Sequence, residues 1–248
     1  MADQAGKAKA MGARSTGAKF MCAGFMKTGL TSLHDAMAAF GFTAQHRRFK
    51  IWKAFRTGDI ATVMANYEVA DFFCDWPHPY MYAPFLEAYG ERARVILTVR
   101  EPDEWFESLK RHNIYAHPVT HSQRYIFGRY YPHGFRAEHV DVFKRHNDEV
   151  QAFFEREGAS DQLLVLRTGE PGSLEALKRF AGVDSDISEY PRSNVSAKRT
   201  ERDVADTLRK GYNRIVQPLY ARMAPKIAPS PGRRLGALPR SAARSALR

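Results

Sequence analysis

Several things are scarce in this chain, and each scarcity removes a class of protein. Two cysteines, Cys22 and Cys74, in 248 residues cannot make a disulfide framework or a four-cysteine zinc site, so a reducing, cytoplasmic setting is the expectation. No apolar run reaches the roughly 18 residues of a membrane span, and the first twenty residues hold no apolar stretch of secretory-leader length. His112, His117 and His121 fit no closed zinc spacing, and no metal is expected. Internal repeats and low-complexity linkers are lacking between residues 19 and 223, which therefore read as one folded unit. Apolar residues at 44% and charged residues at 26% are ordinary for a globular protein of this length.

Charge is not evenly spread. The formal net charge is +11, yet residues 1–19 carry +3 and residues 221–248 carry +7 with no acidic residue, leaving +1 for everything between. Residues 1–18 and 224–248 read as basic tails on a nearly neutral domain spanning 19–223. The C-terminal tail suits weak association with anionic surfaces. Specific nucleic-acid recognition is not expected from the domain, and the sequence leaves oligomerisation open.

Within the domain, short apolar runs alternate with helical periodicity. Lys19–Ala23, Val69–Cys74, Arg94–Val99 and Leu163–Leu166 read as strands. Between and after them come helices: Leu30, Leu33, Met37 and Phe40 mark one, Tyr80–Tyr89 another, and Pro102 opens a third carrying Trp105, Phe106 and Leu109. Val140, Phe143, Val150 and Phe153 lie on a long one, Leu174, Leu177 and Phe180 on the next, and a last helix covers about 199–222. This alternation predicts an α/β fold, a central parallel sheet with helices on both faces in three layers. Ligands in such sheets bind beyond the carboxyl ends of the strands.

The first strand leads into Gly24-Phe25-Met26-Lys27-Thr28-Gly29-Leu30-Thr31-Ser32. A loop that opens a helix offers free backbone N–H groups and the positive end of the helix dipole to an anion. The segment nearly fits the nucleotide phosphate loop, but Leu30 occupies the lysine position and the lysine comes earlier, at Lys27. That weakens a kinase or other nucleotide phosphotransferase reading, which is kept as an alternative together with a noncatalytic module docking anions or membranes. The strand Arg94–Val99 is followed by Arg100, whose planar fork suits phosphate, and Ser108 lies two helical turns further on. Alone, that arginine would equally make a surface ion pair with Asp103 or Glu104.

Together these segments resemble the P-loop-containing sulfotransferases that use 3′-phosphoadenosine 5′-phosphosulfate (PAPS), with the bacterial and carbohydrate-type branches the nearer ones. Lys27-Thr28-Gly29-Leu30-Thr31-Ser32 matches that family's phosphosulfate loop except at Leu30, which lacks the usual hydroxyl. The resemblance implies a P-loop NTPase-like fold and transfer of a sulfuryl group from PAPS to a hydroxyl or amine of a small-molecule or glycan acceptor, without a metal. It further implies that Gly24, Lys27, Thr28, Gly29, Thr31 and Ser32 cradle the 5′-phosphosulfate and that Arg100 and Ser108 hold the 3′-phosphate. Arg192 and Lys198 fall where the family has a basic loop closing over that group. Lys27 would also stabilise the leaving phosphate. For the base, the turn Cys74-Asp75-Trp76-Pro77-His78 offers two candidates: Asp75, favoured by its registration with Pro77, and His78, favoured by its intrinsic pKa. Residues 110–137, rich in Tyr, His, Phe and Arg, read as either an acceptor lid or an aromatic core.

Overall fold

The computed structural model describes residues 17–46, 48–114, 123–129, 131–191 and 204–223. Both proposed tails fall outside these residues, apart from Gly17 and Ala18, as do Arg192, Lys198, His117 and His121.

Strands β1 (Lys19–Cys22) and β4 (Ala93–Thr98) are apolar on both faces, which suits the middle of a sheet covered on two sides. With β2 (Ala44–Gln45), β3 (Phe72–Phe73) and β5 (Leu163–Leu166) they form a five-stranded sheet ordered β2-β3-β1-β4-β5. Every pairing is parallel, with Phe20 opposite both Phe72 and Arg94, and Cys22 opposite Ile96. The chain reverses its direction of travel across the sheet at β1, so the crevice beyond the carboxyl end of β1 is where this topology places a ligand.

Alternation along β1 and β4 sorts side chains into two cores. Phe20, Cys22 and Ile96 pack under α1 (Leu30–Ala39) and α8 (Ser173–Ala181). Met21, Val95 and Leu97 face the larger layer. That layer draws on α2 (Phe49–Thr57), α3 (Ile60–Ala65), α4 (Tyr82–Tyr89), α5 (Pro102–Asn113), α6 (Gln123–Phe127) and α7 (Arg136–Arg156). It is rich in aromatic rings: Trp105 lies on Phe143 with centroids 4.2 Å apart and planes only 6° from parallel. A fully buried ring of this kind is worth about 3–5 kcal/mol against alanine. α9 (Val204–Met223) lies against the end of α5.

The strand expected over 69–74 contracts to two residues. Ahead of it Asp71 is drawn into a turn, its carboxylate accepting from the Thr43 amide at 2.9 Å and hydroxyl at 2.6 Å. The helix expected from Tyr80 begins at Tyr82, after a short 3-10 turn at His78–Tyr80. β2, α2 and α3 went unread, because β2 is too short to show a period and α2 has no side-chain cap at its start. Of the segment 110–137, Ile126, Phe127 and Tyr131 are buried, so these residues supply core.

Candidate functional site at the carboxyl ends of the strands

The loop from β1 into α1 is held from several sides. Gly24 passes so close to β4 that a Cβ there would lie 1.9 Å from Thr98 Oγ1 and under 3 Å from the Thr98 backbone. Gly29 has φ +100 and caps α1. A Cβ on it would sit 2.7 Å from Thr168, in the turn after β5. Between these glycines, Lys27 has φ +72, in the left-handed region that costs a side-chain-bearing residue about 1–3 kcal/mol and persists only where surroundings enforce it.

The surroundings act through the loop carbonyls. His146 of α7 has Nε2 2.7 Å from the Ala23 carbonyl and stacks on Phe25 with centroids 4.2 Å apart. The Trp105 indole donates to the Met26 carbonyl at 2.9 Å, and Arg100 Nη1 reaches the Lys27 carbonyl at 3.4 Å. Thr28 donates its hydroxyl to the Phe25 carbonyl at 2.6 Å. Four carbonyls are thus turned toward the fold. α1 begins with no side-chain cap and no acid in its first turn, whereas α5 carries Asp103 and Glu104 there. The first turn of α1 therefore brings no carboxylate of its own to the dipole end, a setting that favours an anion.

Thr28 departs from expectation in one respect. Its proton is committed to Phe25, so the 2.5 Å contact with Thr98 Oγ1 requires Thr98 to donate and Thr28 to accept. Cys22 Sγ, 3.6 Å from Thr98 Oγ1, completes a buried chain running Cys22 to Thr98 to Thr28 to Phe25. Burial pushes the Cys22 thiol up to about 11 against hydrogen bonding to Thr98, and the Asp75 carboxylate adds to the rise. Thr28 therefore contributes its backbone and a structural hydroxyl. Thr31 and Ser32 are half-buried on the first turn of α1. Leu30, where a nucleoside triphosphatase has its lysine, is 6% exposed and packs with Leu33 and Met37.

Arg100 leaves the end of β4 with its guanidinium between the Lys27 carbonyl and Glu104 Oε2, both 3.4 Å away. Ser108 is buried on α5 at 7% exposure. On the other side of the loop, a cleft of about 670 Å³ is lined by Gly29, Ser32, Thr168, Glu170, Ser173 and Tyr190, among others. The Thr168 hydroxyl is buried there without a hydrogen-bond partner. Tyr190 and Pro191, on its wall, lead directly toward Arg192 and Lys198, which lie outside the described residues.

The turn after β3 holds the two base candidates, and the structure separates them. Asp75, in the left-handed region at φ +69, accepts from the Trp76 amide at 2.8 Å through Oδ1, and its Oδ2 is 3.6 Å from His46 Nδ1. Asp75 follows β3, which pairs with β1 through Met21 and Phe73, and its charge acts on Cys22 just ahead of the loop. His78 goes into the core at 1% exposure, its Nδ1 2.9 Å from the Tyr67 hydroxyl and its ring beside Phe73. Burial, with a smaller contribution from His46, lowers its pKa to about 3. An imidazole closed off in this way cannot meet an acceptor, so His78 is assigned to the core.

Sequence reasoning missed His46, Thr98, His146 and Thr168. His146 had a visible signal, a polar residue interrupting the apolar stripe Val142, Phe143, Val150, Phe153 of α7. Thr98 had none, since a threonine in a strand is ordinary. Among the described residues, no group of three or more His, Cys, Asp or Glu gathers where it could hold a metal ion, and no helix is long and apolar enough to cross a membrane.

A five-stranded parallel sheet with a lysine-bearing loop opening a helix at its switch point defines a P-loop-like α/β fold. The family model of the sulfotransferase domain matches residues 19–199, and the chain belongs to that family. No individual curated protein matches it.

Proposed function

We propose that the protein transfers a sulfuryl group from PAPS to a hydroxyl or amine of a small-molecule or glycan acceptor and releases 3′-phosphoadenosine 5′-phosphate. The observation that carries this reading is the β1–α1 loop, its carbonyls drawn off by His146, Trp105, Arg100 and Thr28, with Lys27 held inside it. The residues present fit such a donor: a first turn of α1 with no acid of its own, an unpartnered Thr168 hydroxyl and a cleft of nucleotide size stand side by side. The loop from Gly24 to Ser32 would hold the phosphosulfate, mainly through Lys27, Thr31, Ser32 and the backbone of Thr28 and Gly29. Arg100 and Ser108 would take the 3′-phosphate, with Arg192 and Lys198 closing over it.

When bound, the donor supplies an activated sulfuryl group and its own leaving phosphate. Lys27 sets an ammonium against the charge that grows on that phosphate, and a preformed charge in a dry cradle needs no reorganisation as the reaction proceeds. Asp75, beside the loop start, takes the acceptor proton, with His46 facing its second oxygen. Buried Leu30 argues against the kinase alternative, since a nucleoside triphosphate would lose its main β/γ contact.

The test is a thermal-shift titration of the full chain with 3′-phosphoadenosine 5′-phosphate and, separately, ATP with Mg. The first ligand should raise the melting temperature of the wild type and fail to raise that of Arg100→Ala. A shift from ATP with Mg alone, or an undiminished shift in Arg100→Ala, would overturn the donor assignment.

A further inference from the structure

α9 presents two faces with different chemistry. One is fastened to the domain: Asn213 Nδ2 donates to the Ile114 carbonyl at 2.7 Å and Gln217 Nε2 to the Asn113 carbonyl at 2.6 Å. These carbonyls stand at the carboxyl end of α5, where a helix turns its last C=O groups outward. The other carries Leu208, Tyr212, Ile215, Leu219 and Met223, each between 53% and 83% exposed. At about 100° per residue these five fall within an arc of about 80°, a continuous apolar stripe along the helix. Stripes of this extent on an otherwise solvated surface mark an interaction site.

The surrounding charge says what covers it. After Asp206 the sequence contains no acidic residue to its end, while Arg209, Lys210, Arg214, Arg222, Lys226, Arg233, Arg234, Arg240, Arg244 and Arg248 supply ten positive charges. Almost the whole net charge of +11 therefore sits on or just beyond this helix. Arg214 and Arg222 are exposed on α9, and by helical angle Arg222 borders the stripe. A second copy of the chain would bring two such segments together with no carboxylate after Asp206 to pair them. A surface with apolar depth beneath a negatively charged skin satisfies both features.

We infer that α9 lies in the plane of an anionic lipid bilayer, its apolar stripe entering the acyl boundary and its exposed arginines, Arg214 and Arg222, meeting the headgroups. Tyr212 suits that position, with an apolar ring and a polar hydroxyl. The helix is too polar to span the bilayer. The sulfotransferase domain would thereby be held at a membrane surface, whatever its acceptor, and the inference stands independently of the donor chemistry.

The experiment is co-sedimentation of the full chain with phosphatidylcholine vesicles, with and without phosphatidylserine. It is run on the wild type, on the pair Ile215→Glu with Leu219→Glu, and on the pair Arg214→Gln with Arg222→Gln. The wild type should partition at least about tenfold more onto anionic vesicles than neutral ones. The stripe pair should lose that binding with an unchanged melting temperature, since both side chains are exposed, and the arginine pair should weaken it. A Tyr212→Trp variant should shift its emission to the blue on anionic vesicles. Binding that survives the stripe pair would mean a polyanion contact through the tail alone and would overturn the inference. So would equal affinity for heparin or duplex DNA with the same indifference to the stripe, no vesicle binding or Trp shift, or a dimer that the stripe pair dissolves.

Discussion

The turns after β1 and after β3 use the same backbone device for opposite charges. Lys27 and Asp75, at φ +72 and +69, are the two non-glycine residues of left-handed conformation among the described residues, and they stand on neighbouring strands. Their support differs. The Lys27 turn is tied through its carbonyls to α5, α7 and the end of β4, so its backbone amides share one frame. Asp75 is oriented by the amide of the next residue and by His46 across the neighbouring strand end, contacts that act on its carboxylate and not on the carbonyls of its turn.

The largest expected effects separate the two turns. Lys27→Ala should lower kcat by about 10³-fold and weaken donor-product binding, because it removes charge from the leaving oxygen. Asp75→Asn retains an oxygen for the Trp76 amide, so its melting temperature should hold while kcat falls by about 10²–10⁴-fold in an assay of 3′-phosphoadenosine 5′-phosphate release. Full activity in Asp75→Asn would end the comparison by removing the base.

A smaller effect concerns His78, which the Asp75 turn carries into the core. Its pKa falls from 6.5 to about 3 on burial, so protonation favours the unfolded chain. The stabilisation from keeping it neutral is complete above pH 6.5 and is lost as the pH falls toward about 3, at up to about 1.4 kcal/mol per pH unit. Denaturant melts of His78→Phe should show a shallower acid decline than the wild type over that window. An unchanged slope would mean His78 is not buried neutral. Smaller still, Thr98→Val should cost about 1 kcal/mol by breaking the Cys22–Thr98–Thr28 chain beneath the Lys27 turn, and should leave the Asp75 turn untouched.

How much of this was legible depends on whether the controlling contact is local. β1 and β4 are readable to a residue because central parallel strands are continuous apolar runs, and β5, at the sheet edge, is readable to its ends because all four of its residues are aliphatic. The Lys27 loop and Arg100 followed from spacing. The choice between Asp75 and His78 did not, since both follow β3 within five residues and only the packing of Tyr67 and Phe73 shows which enters the core. His146 and Trp105, more than seventy residues from the carbonyls they hold, lie beyond local pattern. α9 was foreseen as a helix, but its exposed stripe appears only once Asn213 and Gln217 show which side is docked.

The division of labour between the two turns is tested most directly by calorimetric titration of 3′-phosphoadenosine 5′-phosphate into wild type, Lys27→Ala and Asp75→Asn. The account predicts wild-type binding, a loss of about tenfold or more in Lys27→Ala, and an affinity within about twofold of wild type in Asp75→Asn. No binding by the wild type, or equal losses in both variants, would contradict it.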